Sequence, residues 1–190
     1  MEITRSKRFD QKVVVITGAG QGLGAGFAQG FAAEGAAVIL IGRTESKLER
    51  VKKEIEIFGN PVLVCPGDIS RETDVSQIIS EVLERFGKID ILINNAAVHK
   101  SLAVVDTPLE EWQRQISINM TGTFLCSRAV LPEMIRRQYG KIVNISSSAA
   151  THFFPGFGAY AASKAGIVGF TKTLSEEVKQ QNINVNALYL

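Results

Sequence analysis

Two hydrophobic periodicities alternate along the chain. Short apolar runs at Val13 to Ile16, Ala36 to Ile41, Pro61 to Val64, Ile89 to Ile93, Lys141 to Ile145 and Ile183 to Tyr189 predict six strands. Between them, apolar residues recur at three- and four-residue spacing, which predicts helices with one buried face. Leu23, Phe27 and Phe31 place the first helix on the sheet. Leu48, Val51, Ile55 and Phe58 place the second, capped by Thr44, and Val75, Ile78, Ile79, Val82, Leu83 and Phe86 the third, capped by Ser70. Thr107-Pro108-Leu109-Glu110 reads as a capping box with proline at the first helical position. It opens a long helix to about Gln138, interrupted or bent near Asn119 to Gly122, and a last helix covers roughly Phe157 to Gln180.

Strands alternating with helices predict an α/β fold, a doubly wound parallel sheet with helices on both faces and ligands in the crevice beyond the strands' carboxyl ends. The 190 residues carry no internal repeat, linker or low-complexity segment, so residues 1–190 are expected to form a single domain.

Composition narrows the partners. Net charge is +2, and there is no dense Lys/Arg tract, which gives nucleic-acid binding little support; Arg5-Ser6-Lys7-Arg8 reads as a solvated arm. No apolar stretch is long enough to span a bilayer and the charged start lacks a signal-peptide core, so a cytoplasmic location is expected. Cys65 and Cys126 have no CxxC partner and read as small buried hydrophobes in a reducing compartment, with no metal site.

The first strand feeds Thr17-Gly18-Ala19-Gly20-Gln21-Gly22-Leu23-Gly24. Glycines let the main chain approach a pyrophosphate, whose charge the following helix N-terminus stabilises, so this stretch predicts a dinucleotide site. An acidic residue closing the second strand would bind a ribose 2′-OH and repel a 2′-phosphate; here Gly42 is followed by Arg43, whose fork can pair with the phosphate. NADP(H) is therefore preferred and NAD(H) possible, although Gln21 adds no second cation to the loop. Asp68 could accept a hydrogen bond from the adenine amino group or serve the local turn. Tyr160 and Lys164 stand four residues apart on one helical face, where the ammonium would favour the phenolate and bring the phenol toward proton exchange near neutrality.

Taken in order, Thr17-Gly18-x-x-x-Gly22-x-Gly24, Asn94-Asn95-Ala96, Ser147 and Tyr160-x-x-x-Lys164 resemble the short-chain dehydrogenase/reductase family over nearly the whole chain. The resemblance implies a Rossmann-like fold and an oxidoreductase that passes hydride between a nicotinamide and a carbonyl or alcohol carbon of a ketoacyl, sugar or polyol type. It implies Ser147, thirteen residues before the tyrosine, as the residue holding the substrate oxygen, Tyr160 as general acid/base, and Lys164 as cation and ribose ligand. Ile118-Asn119-Met120-Thr121-Gly122 matches the surroundings of the family's further asparagine, so Asn119 would complete a water-mediated proton relay to Lys164; a polar residue at a helix irregularity is its other reading. The implied cofactor site draws on Thr17, Gly18, Gln21, Gly22, Leu23, Gly24, Arg43, Asp68, Ile69, Asn95, Ala96, Tyr160 and Lys164. A homo-oligomer, dimer or tetramer, is implied through the helices after Leu109 and around Tyr160, covering Phe124, Leu131, Phe170 and Leu174.

The chain departs from the family twice: Ala97 replaces a glycine, and the sequence stops at Leu190, short of the family's substrate lid and seventh strand. The expectation is of a chain truncated at its C-terminus, and a dinucleotide-binding protein without turnover is the alternative. Thr151-His152-Phe153-Phe154-Pro155-Gly156-Phe157 supplies three phenylalanines that form either an apolar wall or core. His99 and His152 read as loop or rim residues with no assigned role.

Overall fold

The structure, a computed structural model, describes residues 7–190. The strands are β1 Val13–Thr17, β2 Ala37–Gly42, β3 Val62–Pro66, β4 Ile91–Asn94, β5 Gly140–Ile145 and β6 Ile183–Leu188. The helices are α1 Gly22–Ala33, α2 Glu45–Ile55, α3 Glu72–Phe86, α4 Leu109–Ile116, α5 Gly122–Arg137 and α6 Gly158–Val178. All strand pairs are parallel, in the order β3-β2-β1-β4-β5-β6. The order reverses between β1 and β4, and a doubly wound sheet opens its ligand crevice at that reversal.

Alternation along β1 divides the core. Val13 and Val15 pack with α3, α5 and α6, whereas Val14 and Ile16 pack with α1 and α2. Leu48, Val51 and Ile55 bury the predicted face of α2, with Phe58 half-buried against it. At about 1.5–3 kcal/mol per fully buried side chain, those three alone hold α2 on the sheet. On α1 the buried residues are instead Gly24, Ala28 and Ala32. Small residues let the helix lie close to the strands, and the predicted face is turned: Phe27 and Phe31 are half-buried beside it and Leu23 is 55% exposed.

Helix starts also differ from expectation. Thr107 forms no capping box; its hydroxyl donates backwards to the Ala103 carbonyl, and Pro108 stands at the N-cap. Thr44 is the N-cap residue of α2 but caps with backbone only, and Ser70 donates to Asp68 while Arg71 takes the N-cap of α3. The predicted interruption is real: Ser117–Thr121 form a π-helical turn between α4 and α5. Of the charged start, Arg5 and Ser6 lie outside the described residues, and Arg8 pairs with Glu34 at 3.0 Å. Cys65 and Cys126 are free and buried, and burial pushes both thiols up to about 12. Among the described residues no helix is long and apolar enough to cross a membrane.

Candidate active site

At the carboxyl ends of β1, β2 and β4 lies a cleft of about 370 Å³, lined by Gly18, Gln21, Gly22, Leu23, Arg43, Asp68, Ile69, Asn95 and Ala96 among others. Backbone proximity makes the cleft. A Cβ on Gly18, at φ +67°, would sit 2.8 Å from the Ala96 Cα, and one on Gly24 would drive into the Gly18 carbonyl. Only glycine fits either place. Two predicted cofactor residues, Thr17 and Gly24, lie behind the cleft and build it. The buried Thr17 hydroxyl accepts from the Asn95 and Ala96 amides, both at 3.0 Å. Asn95 returns its amide to the Thr17 carbonyl at 3.0 Å, which fastens the loop after β4 to the glycine turn.

Arg43 is exposed at the mouth of the cleft, and no hydrogen bond or ion pair engages its guanidinium among the described residues. The glycine loop does acquire a second cation, contrary to the reading of Gln21 alone. Lys47 in the first turn of α2 donates to Gln21 Oε1 at 2.7 Å, and its stem lies against Gly20. Asp68 Oδ1 accepts from the Ser70 amide and hydroxyl at 3.0 and 2.7 Å, so it serves the turn while also facing the cleft.

The second half of the site stands on α6. Lys164 is 2% exposed, donates to the Ile145 carbonyl at 2.7 Å and holds its Nζ 5.5 Å from the centroid of the Tyr160 ring. Burial lowers this ammonium to about 8. Three consecutive serines at the end of β5 separate by environment. Ser146 is buried and donates to the Lys164 carbonyl, Ser148 is exposed, and the half-buried Ser147 accepts from the Ala149 amide at 3.2 Å.

Asn119 sits in the π-turn, fully buried. Its Oδ1 accepts from the Val98 amide at 2.8 Å, and its Nδ2 donates to the Val98 carbonyl at 2.9 Å and to Ser163 Oγ at 3.0 Å. Ser163 in turn donates to the Tyr160 carbonyl. The Asn119 side chain braces the loop after β4 against the helix that carries Tyr160.

The loop before α6 is neither wall nor core throughout. Phe153 is 99% exposed, whereas Phe157 is half-buried and meets the Tyr160 ring edge-on at 6.1 Å. His152 stays on the loop, beside Ser148 and Thr151. His99 is exposed on the loop after β4, and its ring lies 4.2 Å from Phe157 and 4.9 Å from Tyr160. No sequence spacing links residue 99 to residue 160; tertiary packing alone unites them.

Comparison with known proteins agrees with this geometry. The family profile described as short chain dehydrogenase matches residues 12–190. A 3-oxoacyl-(acyl-carrier-protein) reductase of Thermotoga maritima is 37% identical over 183 residues, 95% of this chain and 74% of the relative. Among solved structures, an NAD+-bound xylitol dehydrogenase superimposes with TM-score 0.92 at 35% identity, covering 95% of this chain and 70% of that one. A metagenomic short-chain oxidoreductase in complex with NADP does so with TM-score 0.92 at 32% identity, covering 95% and 82%.

Proposed function

The chain belongs to the short-chain dehydrogenase family and is an NAD(P)-dependent oxidoreductase; from that premise we propose that it moves hydride between NADP(H) and the carbonyl or alcohol carbon of a small molecule, with Tyr160 exchanging the proton. The observation that supports this most is the buried Lys164 ammonium beside the Tyr160 ring. A buried lysine without a carboxylate partner costs stability, and a proton-transfer site is a reason to keep one.

The nicotinamide supplies or takes the hydride when the cofactor is bound. The cleft fits a dinucleotide because Gly18 and Gly24 leave the room that side chains would fill, and Arg43 offers an unpaired fork for a 2′-phosphate. Thr17 from behind the cleft and Asn95 from its lining hold the two loops together. On reduction, Tyr160 gives its hydroxyl proton to the substrate oxygen; on oxidation it takes one. Ser147 donates to that same oxygen, with its greatest effect where negative charge develops. Asn119 keeps the loop after β4 in register with Tyr160 and is a positioning residue in this reading. One domain carries both halves.

The substrate class follows the relatives only in outline: 3-oxoacyl, hydroxy-acid and polyol chemistry all place a carbonyl or alcohol at the reacting carbon. Assembly into a dimer or tetramer belongs to the same proposal. Phe124 on α5 is 40% exposed and meets Phe170 of α6 edge-on at 6.1 Å, an apolar pair suited to a subunit contact. Leu174, by contrast, is core. Light scattering at micromolar concentration should give a multiple of the 20.6 kDa chain mass.

The test is oxidation of NADPH with a panel of ketones, 3-oxoacyl thioesters and ketoses, repeated with Tyr160→Phe. Turnover should fall by about a thousandfold or more in the variant while NADPH binding stays within a few-fold. Near-normal turnover by Tyr160→Phe would remove the assignment.

A further inference from the structure

His99 stands in the wall of the site as its one hydrogen-bonding ring apart from Tyr160 among the described aromatic residues there. The segment carrying it is tightly held. Asn119 grips both the amide and the carbonyl of Val98, Gln115 donates to the Lys100 carbonyl at 3.2 Å, and the Leu102 amide donates to the Gly156 carbonyl at 3.0 Å. Backbone anchors thus fall at residues 98, 100 and 102. The imidazole is then fixed by ring contacts, tilted at 38° on Phe157 and edge-on at 61° to Tyr160. Packing of this kind sets orientation without using the nitrogens. Neither ring nitrogen has a hydrogen-bond partner among the described residues, and the residue is exposed.

A polar group held still by apolar contacts, open to the site and without an internal partner, is preorganised for a ligand oxygen. We propose that His99 is a specificity residue that hydrogen-bonds a second oxygen of the substrate, so that the site favours carbonyl compounds bearing a hydroxyl or keto oxygen on the neighbouring carbon or the one beyond. The imidazole lies edge-on against the Tyr160 ring, 4.9 Å between ring centres, so a substrate whose reacting oxygen meets the Tyr160 hydroxyl brings its next atoms alongside His99. A plain ketone occupies the same place and leaves the imidazole unpartnered. The inference rests on the oxidoreductase reading above and adds the substrate class.

The experiment compares 2,3-butanedione and 1-hydroxy-2-butanone with 2-butanone, using NADPH and the wild-type chain or His99→Phe, which keeps a ring between Phe157 and Tyr160. Wild type should favour the doubly oxygenated substrates about tenfold in kcat/KM, the worth of one hydrogen bond. His99→Phe should lose that preference, its kcat/KM for 2,3-butanedione and 1-hydroxy-2-butanone falling about tenfold relative to that for 2-butanone. In the non-reacting complex with NADPH, 2,3-butanediol should shift the His99 imidazole proton resonances and 2-butanol should not; signals missing in His99→Phe identify them. An undiminished preference in His99→Phe, or equal shifts with both alcohols, overturns the inference. Absence of turnover on every carbonyl overturns the oxidoreductase reading instead, and the resonance shifts still decide the role of His99.

Discussion

Replacing Lys164 by methionine should stabilise the protein at neutral pH, and the gain should vanish as the pH rises. Burial brings this ammonium from 10.5 down to about 8. At about 1.4 kcal/mol per unit, keeping the charge inside costs about 3 kcal/mol. Below pH 8 the lysine is charged in both folded and unfolded chains, and the native state bears the whole cost. Between pH 8 and 10.5 the native lysine has lost its proton while the unfolded one keeps it, so the unfolded state binds more protons and stability rises with pH. Methionine removes the charge and forfeits the hydrogen bond to the Ile145 carbonyl, worth about 1 kcal/mol. The net expectation is a variant about 2 kcal/mol more stable at pH 7 and about 1 kcal/mol less stable at pH 10.5. Urea unfolding of both proteins across that range measures it. Cys65 and Cys126, raised by burial from 9.0 to about 12, lower stability in the alkaline range because the unfolded thiols ionise first. That effect is common to both proteins and cancels in their difference. A difference that stays constant from pH 7 to 10.5 would refute the reasoning.

Arg43→Ala should weaken NADPH binding about 10- to 100-fold and NADH binding less than about twofold, since a charge-assisted hydrogen bond is lost only with the former; equal losses in fluorescence titrations would contradict the role given to Arg43. Asn119→Ala should cost about 3 kcal/mol in urea unfolding, because it strands the Val98 amide and the Val98 carbonyl and removes the donor to Ser163 Oγ; a loss below about 1 kcal/mol would show that the brace is dispensable. Asp90 is fully buried; burial opposes its charge, but hydrogen bonds from Arg137 and the Val13 amide, with Lys88 nearby, hold its carboxyl below the usual range. Its contribution is therefore present above about pH 4 and lost as pH falls through the lower native value. Asp90→Ala should cost about 3–5 kcal/mol at pH 7 and less in acid, and a pH-independent cost in urea unfolding would count against this account.

The strands were legible because β-branched runs buried on both faces have few other uses, and observed β2, β4 and β5 fall within a few residues of their predicted spans. The pairing of the glycine turn with a cleft was legible for a similar reason: Gly18 and Gly24 answer to backbone contacts that nothing larger tolerates. Helix α1 was misread because hydrophobicity ranks Phe27 above Ala28, whereas close approach to the sheet selects the alanine. The caps failed at Thr107 and Ser70 because each hydroxyl donates away from its helix, to the Ala103 carbonyl and the Asp68 carboxylate, instead of accepting from a first-turn amide. Lys47 and His99 were missed for a different reason. Each reaches the site across a loop, and only the assembled fold brings them to Gln21 and Tyr160.

The π-turn makes the two halves of the site one object. An extra residue in the helix at Ser117–Thr121 accompanies the placement of Asn119 inside the protein, where it spans from Val98 to Ser163. Asn95, three residues before Val98, fastens the same loop to the glycine turn. Beneath them Asn94 donates to Ser127 and to Asn144, and Asn144 donates to Thr171 on α6. Hence the loop after β4 is tied at one end to the cleft and at the other to the helix bearing Tyr160 and Lys164. A displacement of this loop would shift the cleft and the Tyr160 wall together, so their relative register survives small motions of either. Such register is what hydride and proton transfer to adjacent atoms of one carbonyl requires, because a misplacement of about 1 Å costs about a hundredfold in rate.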